Sequence, residues 1–246
     1  MDFNNLPMKD KLYYLNIEDG IAIYCADCRD ILPLIPDKSI DLVLTDPPYG
    51  VHHKKQGEPY MAGDNINQLP FVLPIFYRLL KSDGGLFIFS STEYLRDALF
   101  TFQTYFRMHN LIIWKKTVPI YPHHTSHFKL QYEPIIYGSR GLFYLKKDRC
   151  SDVIEYSIER GNNRVHPTQK PVDLIKQLIQ STEDSKQIII DPFLGSGTTA
   201  YCAKKLGRKC IGIEIEEKYA AIAAKRCSQA ILPLEMKQVE QGESSN

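Results

Sequence analysis

The residues Asp46-Pro47-Pro48-Tyr49 bring together groups suited to one kind of chemistry, the activation of an amino group attached to an aromatic ring. Such an amine is a weak nucleophile because its lone pair is delocalised into the ring. Acceptors placed on both of its N–H bonds draw it toward a tetrahedral, reactive geometry. Asp46 supplies one acceptor. The backbone carbonyl of Pro47 supplies the other, and the locked φ angles of Pro47 and Pro48 fix its direction. Tyr49 offers a flat face on which the ring can stack. Taken alone, the same tetrapeptide also reads as a Pro-Pro turn whose aspartate hydrogen-bonds the local backbone.

A second motif lies far downstream. Asp191-Pro192-Phe193-Leu194-Gly195-Ser196-Gly197-Thr198-Thr199 follows the apolar run Ile188-Ile189-Ile190 and opens a helix. Gly195 and Gly197 let the backbone pass close to a ligand and take left-handed torsions, while Ser196, Thr198 and Thr199 offer hydroxyls and cap the helix. The spacing of a phosphate-binding loop is absent. Between the two motifs, Pro171 of His166-Pro167-Thr168-Gln169-Lys170-Pro171 suits the first turn of a helix over Val172 to Gln180. That helix start, with Lys170 beside it, suits an anion. Glu214 ends a strand about twenty residues beyond the glycines, where an acidic side chain can hold ribose hydroxyls. Asp27 follows a strand near the start of the chain and, taken alone, reads as a helix cap.

The two motifs in this order, catalytic first and glycine-rich second, resemble the β class of DNA amino-methyltransferases that use S-adenosylmethionine (AdoMet). The likeness runs from about Gly20 to Arg226. It implies a doubly wound, mostly parallel α/β sheet of the class I methyltransferase, Rossmann-like type. It also implies AdoMet as methyl donor, and DNA as a substrate from which the target base is flipped out to reach Asp46. By the same resemblance Asp27 and Cys28 read the adenine ring of AdoMet. Asp191, Phe193 and the glycine turn face its methionine part, with Asp191 accepting from the ammonium. One or more of His166, Thr168 and Lys170 meets the carboxylate. Members that methylate cytosine N4 usually carry Ser where this chain has Asp46, so adenine N6 is the expected target and cytosine N4 the alternative. A non-catalytic nucleic-acid-binding relative, or transfer to RNA or to a protein glutamine, are the readings from other classes.

The elements that must position these residues show in the apolar pattern. Leu12–Ile17 and Ile21–Cys25 read as strands around the turn pair Asp19-Gly20, Asp30–Ile35 as a short helix, and Ile40–Leu44 as a buried strand leading into Asp46. Leu69–Leu80 has helical periodicity despite Pro70 and Pro74. Leu86–Phe89 then reads as a strand, Thr92–Phe106 as a helix capped by Thr92, and Asn110–Trp114 and Tyr132–Tyr137 as further strands. Thr199–Leu206, Cys210–Ile213 and Glu216–Ser228 complete the alternation. One catalytic domain over 12–232 follows, with flexible ends at 1–11 and 238–246.

Two stretches lack periodicity. The loop 51–67 beside the catalytic motif carries Lys54 and Lys55, which can pair with phosphates. The stretch of about 138–165 is basic and ends in Asn162-Asn163-Arg164, side chains suited to the edges of adenine and guanine, which makes it the expected target-recognition segment. Its shortness fits a short recognition site or a homodimer, and a cognate restriction nuclease is a further expected partner. A net charge of +1 argues against a chain held to nucleic acid by bulk charge. No signal peptide or transmembrane run is visible, so a cytoplasmic location away from membranes is expected. The six cysteines, Cys25 and Cys28 among them, read as reduced core thiols, and the loop histidines His123, His124 and His127 as a surface cluster, so no metal is expected.

Overall fold

The computed structural model describes residues 1–48, 67–120, 128–143, 145–146, 151–159, 169–182 and 187–229. Its centre is a sheet of nine strands: β1 (Leu12–Asn16), β2 (Ile21–Cys25), β3 (Ile40–Thr45), β4 (Leu80–Phe89), β5 (Arg107–Ile120), β6 (Leu130–Ser139), β7 (Val153–Tyr156), β8 (Ile188–Asp191) and β9 (Lys209–Glu214), in the spatial order β1-β2-β9-β8-β3-β4-β6-β5-β7. Strands β2, β9, β8, β3 and β4 run parallel, with β1 antiparallel at one side and β6 antiparallel between β4 and β5. The five parallel strands are buried on both faces, which is why they read as continuous apolar runs and not as alternation.

Helices cover the sheet in two groups. On one face, α1 (Cys28–Ile31), α2 (Leu69–Leu79) and α3 (Leu95–Tyr105) pack through Ile31, Val72, Leu73, Phe76, Ala98 and Phe102 onto Val43, Ile88 and Ile190. On the other, α4 (Val172–Gln180), α5 (Thr198–Lys205) and α6 (Glu217–Ser228) pack through Leu174, Ile175, Ala203, Ala220 and Ala223 onto Leu44, Phe87, Ile135 and Ile189. Adjacent residues such as Val43 and Leu44 therefore serve opposite layers, as the two-residue repeat of a strand requires.

One seam positions the site. Strand β3 leads on toward α2 on one face, while its neighbour β8 leads to α5 on the other. Chain paths therefore diverge between β3 and β8, and open α/β sheets bind ligands in the crevice outside the strand ends at such a point. The two strands pair in register through Leu42 with Ile189 and Val43 with Ile190, and side-chain bonds join them at both ends, from Thr45 Oγ1 to Asp191 Oδ1 at 2.7 Å and from the Ile188 N–H to Asp41 Oδ2 at 2.8 Å.

Several expectations needed correction. Thr92 does not cap α3. That helix begins at Leu95 after Tyr94, and it is the Ser91 hydroxyl that accepts from the Tyr94 N–H, at 3.4 Å. The short helix near Asp30 starts earlier, at Cys28, and tightens into a 3-10 turn over Leu32–Leu34 because Pro33 and Pro36 interrupt it. The strand expected from Leu86 starts earlier, at Leu80, so that β4 takes in Asp83-Gly84-Gly85, and its register shifts where Ile40 pairs with Leu80 but Leu42 with Gly85. β7 lies inside the stretch that lacked periodicity. It was hidden because only Ile154 of its four residues is buried. The segment 238–246 and the histidines His123, His124 and His127 lie outside the described residues. Among those described, no group of three or more potential ligands is arranged for a metal ion, and no helix is long and apolar enough to cross a membrane.

Candidate active site

The carboxyl ends of four neighbouring strands each carry an acid. In spatial order these are Asp27 just beyond β2, Glu214 on β9, Asp191 on β8 and Asp46 just beyond β3. Strands sit about 4.8 Å apart, so the row spans roughly 14 Å, the length of an extended nucleoside joined to an amino acid.

At one end, Asp27 caps α1. Its Oδ1 accepts from the Arg29 N–H at 2.9 Å, and its carboxylate pairs with the Arg29 guanidinium, which holds its pKa below the usual carboxylate value. The capping role considered from sequence is thus the one the hydrogen bonds display, at a position still on the ligand edge. Burial pushes the Cys28 thiol up to about 12, which keeps it neutral.

Glu214 is 8% exposed, and its two oxygens hold backbone: Oε2 accepts from the Gly195 N–H at 2.7 Å and Oε1 from the Glu216 N–H at 2.8 Å. It fixes the glycine turn and the entry to α6 together. Asp191, 4% exposed, accepts from the Thr45 hydroxyl, from the Phe193 N–H at 3.2 Å and from the Thr199 hydroxyl. Burial outweighs these bonds and raises its pKa to about 6, and Glu214 is raised for the same reason. The partners shown for both acids are neutral N–H and O–H groups. Buried carboxylates so placed suit a ligand bearing hydroxyls and a cation.

The turn between them is tight. Gly195 and Gly197 both have positive φ, 54° and 82°, and a Cβ on Gly197 would lie 2.5 Å from the Cβ of Ala223 on α6. Gly197 itself occupies the cap position of α5, with no side-chain bond, so the expected capping by Ser196, Thr198 and Thr199 is not what the structure shows. Those three residues are buried, and Arg226 of α6 grips the turn from behind, its Nη1 donating to the Ser196 carbonyl at 3.0 Å and to the Thr198 hydroxyl at 3.2 Å. Arg226 was missed from sequence. The available signal was an arginine one turn beyond Ala223 on the inward face of a helix.

At the far end, Pro47 is buried and the Pro48 carbonyl accepts from the Gln68 N–H at 3.2 Å, tying the diproline to the head of α2. The Asp46 side chain, 22% exposed, meets an unexpected partner: Lys170 Nζ lies 2.5 Å from Asp46 Oδ2 and 3.3 Å from Glu133 Oε2. Lys170, just before α4, directs its charge at the Asp46 carboxylate. Pro171, expected in the first turn of α4, stands one residue earlier at its cap position, and the helix covers the expected Val172–Gln180. Glu133 and Lys116, which pair at 2.8 Å, were also missed, although a glutamate and a lysine within apolar strand sequence were a signal. Tyr49, Lys54, Lys55, Asn162, Asn163, Arg164, His166 and Thr168 lie outside the described residues.

A family model described as DNA methylase, of the N6/N4 type, matches residues 40–225. The type II methyltransferase M.HinfI of Haemophilus influenzae is 30% identical over 86% of this chain and 69% of its own length. The putative methylase YubD of Escherichia coli is 30% identical over 78% of this chain and 84% of its own. Among solved structures, M1.HpyAVI in complex with SAM superposes with a TM-score of 0.67 at 25% identity, covering 84% of this chain and 99% of that one. The cytosine-N4-specific PvuII DNA methyltransferase gives 0.71 at 18% identity, covering 90% of each, a likeness of fold.

Proposed function

Since this chain belongs to the N6/N4 DNA methylase family and is an AdoMet-dependent DNA amino-methyltransferase, we propose that its target is the exocyclic N6 of adenine, presented as a flipped-out base. The observation that carries this reading is the carboxylate of Asp46, set at the carboxyl end of β3 beside the seam with β8, where the family's cytosine-N4 enzymes usually carry serine.

In this reading Asp46 and the Pro47 carbonyl accept from the two N–H bonds of the adenine amine, and Tyr49 stacks on the ring. Asp27 and Cys28 bind the adenine end of AdoMet, Glu214 the ribose, and Asp191 with Phe193 and the turn Gly195–Thr199 the methionine end. When bound, AdoMet supplies an activated methyl group on a sulfonium. The chain's own contribution is to orient the amine in line with it, which is where most of the acceleration arises when the donor is already reactive. His166 and Thr168 are the candidates for the methionine carboxylate. Lys54, Lys55, Asn162, Asn163 and Arg164 meet the DNA, as positioning and base-reading contacts respectively.

Nucleoside mass spectrometry of DNA treated with the purified protein and AdoMet tests the choice of base. The expected product is N6-methyladenine. Appearance of N4-methylcytosine in its place overturns the assignment.

A further inference from the structure

We propose that Glu133 is a positioning residue for methyl transfer: it holds the Lys170 ammonium over the Phe89 ring and against Asp46, while Lys116 balances it from behind. The inference deepens the reading of Asp46 as acceptor of the substrate amine and rests on it.

Four charges alternate in sign across the top of the sheet. Asp46 follows β3, Lys170 precedes α4, Glu133 lies on β6 and Lys116 on β5, with separations of 2.5, 3.3 and 2.8 Å. Phe89, Trp114, Lys116, Glu133 and Ile135 project from one face because they occupy matching positions in the two-residue repeats of β4, β5 and β6, where Trp114 pairs with Glu133 and Phe89 with Ile135. Lys170 Nζ sits 4.9 Å from the centre of the Phe89 ring and Lys116 Nζ 5.5 Å from that of Trp114, so both ammoniums rest on aromatic faces.

The side chains of Lys116 and Lys170 are 7% and 13% exposed, and that of Glu133 is 28% exposed. Any one of them left unpaired there would be costly, so the row is stable only as a set. Burial opposes the charge on Lys170, yet Asp46 and Glu133 outweigh it and raise its pKa. Burial likewise opposes the charge on Glu133, and Lys170 and Lys116 outweigh it and lower its pKa. An aspartate just beyond the end of a strand has rotamers to choose from. A lysine anchored at its other side by a strand-borne glutamate restricts that choice. Glu133 acts on the reaction through Lys170 and does not touch the substrate.

Glu133→Gln removes the charge while keeping the shape. The Lys170 ammonium signal, identified in NMR spectra by its absence from Lys170→Met, is expected to shift and to exchange faster with water in Glu133→Gln. In methyl-transfer assays kcat should fall about tenfold with the KM and calorimetric Kd for AdoMet within about twofold of wild type, and Glu133→Asp should recover part of the loss. Because the two residues act in series, Lys170→Met and the double variant Lys170→Met/Glu133→Gln should have the same kcat within about twofold. An unmoved Lys170 signal, or losses that multiply in the double variant, overturns the proposal. If the wild-type protein transfers no methyl group to any base while Lys170 still responds to Glu133→Gln, the functional reading has failed and the clamp itself has not.

Discussion

At the scale of single residues, the acids on the ligand edge differ by what surrounds them. Asp46 is ion-paired, Asp27 is held by an arginine, and Asp191 is buried among neutral donors. Asp46→Ala should abolish methyl transfer and leave AdoMet affinity, measured by calorimetry, within a few-fold of wild type. Retained turnover would remove Asp46 from the chemistry. Asp191 supports a prediction of opposite sign for folding and for binding. Its pKa is raised from 3.8 to about 6 in the fold, so the folded chain binds that proton more tightly than the unfolded one. The stability this contributes is complete below 3.8 and is lost as pH rises through about 6. Asp191→Asn should therefore stabilise the ligand-free protein at neutral pH, by up to roughly 3 kcal/mol, and flatten the slope in denaturant titrations across that window. A ligand ammonium needs the ionised acid, so AdoMet affinity should climb in wild type as pH passes up through about 6 and stay weak and level in Asp191→Asn. A wild-type affinity independent of pH there would exclude contact between Asp191 and the ammonium.

At the scale of elements, the glycine turn is the most constrained connection. Gly197→Ala forces a Cβ against Ala223 and strains a positive φ, so it should lower stability by about 1–3 kcal/mol and weaken AdoMet binding together, as read by chemical unfolding and calorimetry. The need for glycine there was legible in sequence, because the spacing after an apolar strand allowed little else. So were β2, β3, α2, α4 and α6, whose apolar runs or faces are long enough to reveal their period. Less visible were features set by distant partners. β7 exposes most of its side chains and is held by pairing to β5, so it leaves no apolar signature. The hydroxyls of Ser196, Thr198 and Thr199 looked like ligand or cap groups locally, and only the packing of α6 shows that Arg226 takes up the turn from the rear. Glu133, Lys116 and Lys170 are far apart in the chain, and nothing in local spacing says that β5, β6 and the start of α4 bring them together.

At the scale of the whole molecule, the sheet divides into β1-β2-β9-β8 and β3-β4-β6-β5-β7. The acids proposed to hold AdoMet stand on the first group, while Asp46 and its cationic clamp belong with the second and with α4. The two groups share the short register between β3 and β8, the Thr45–Asp191 bond and the bond from the Ile188 N–H to Asp41. A molecule lying along the row of acids would bridge that junction as a splint bridges a fracture. Hydrogen exchange should then show amide protection rising at Leu42–Thr45 and Ile189–Asp191 when AdoMet is added, more than at β4 or β6. Equal slowing throughout would mean that the halves never part. Donor and acceptor would thus be brought to working distance by the closing of one thin suture, and loading the donor would itself tighten the ground on which the base must land.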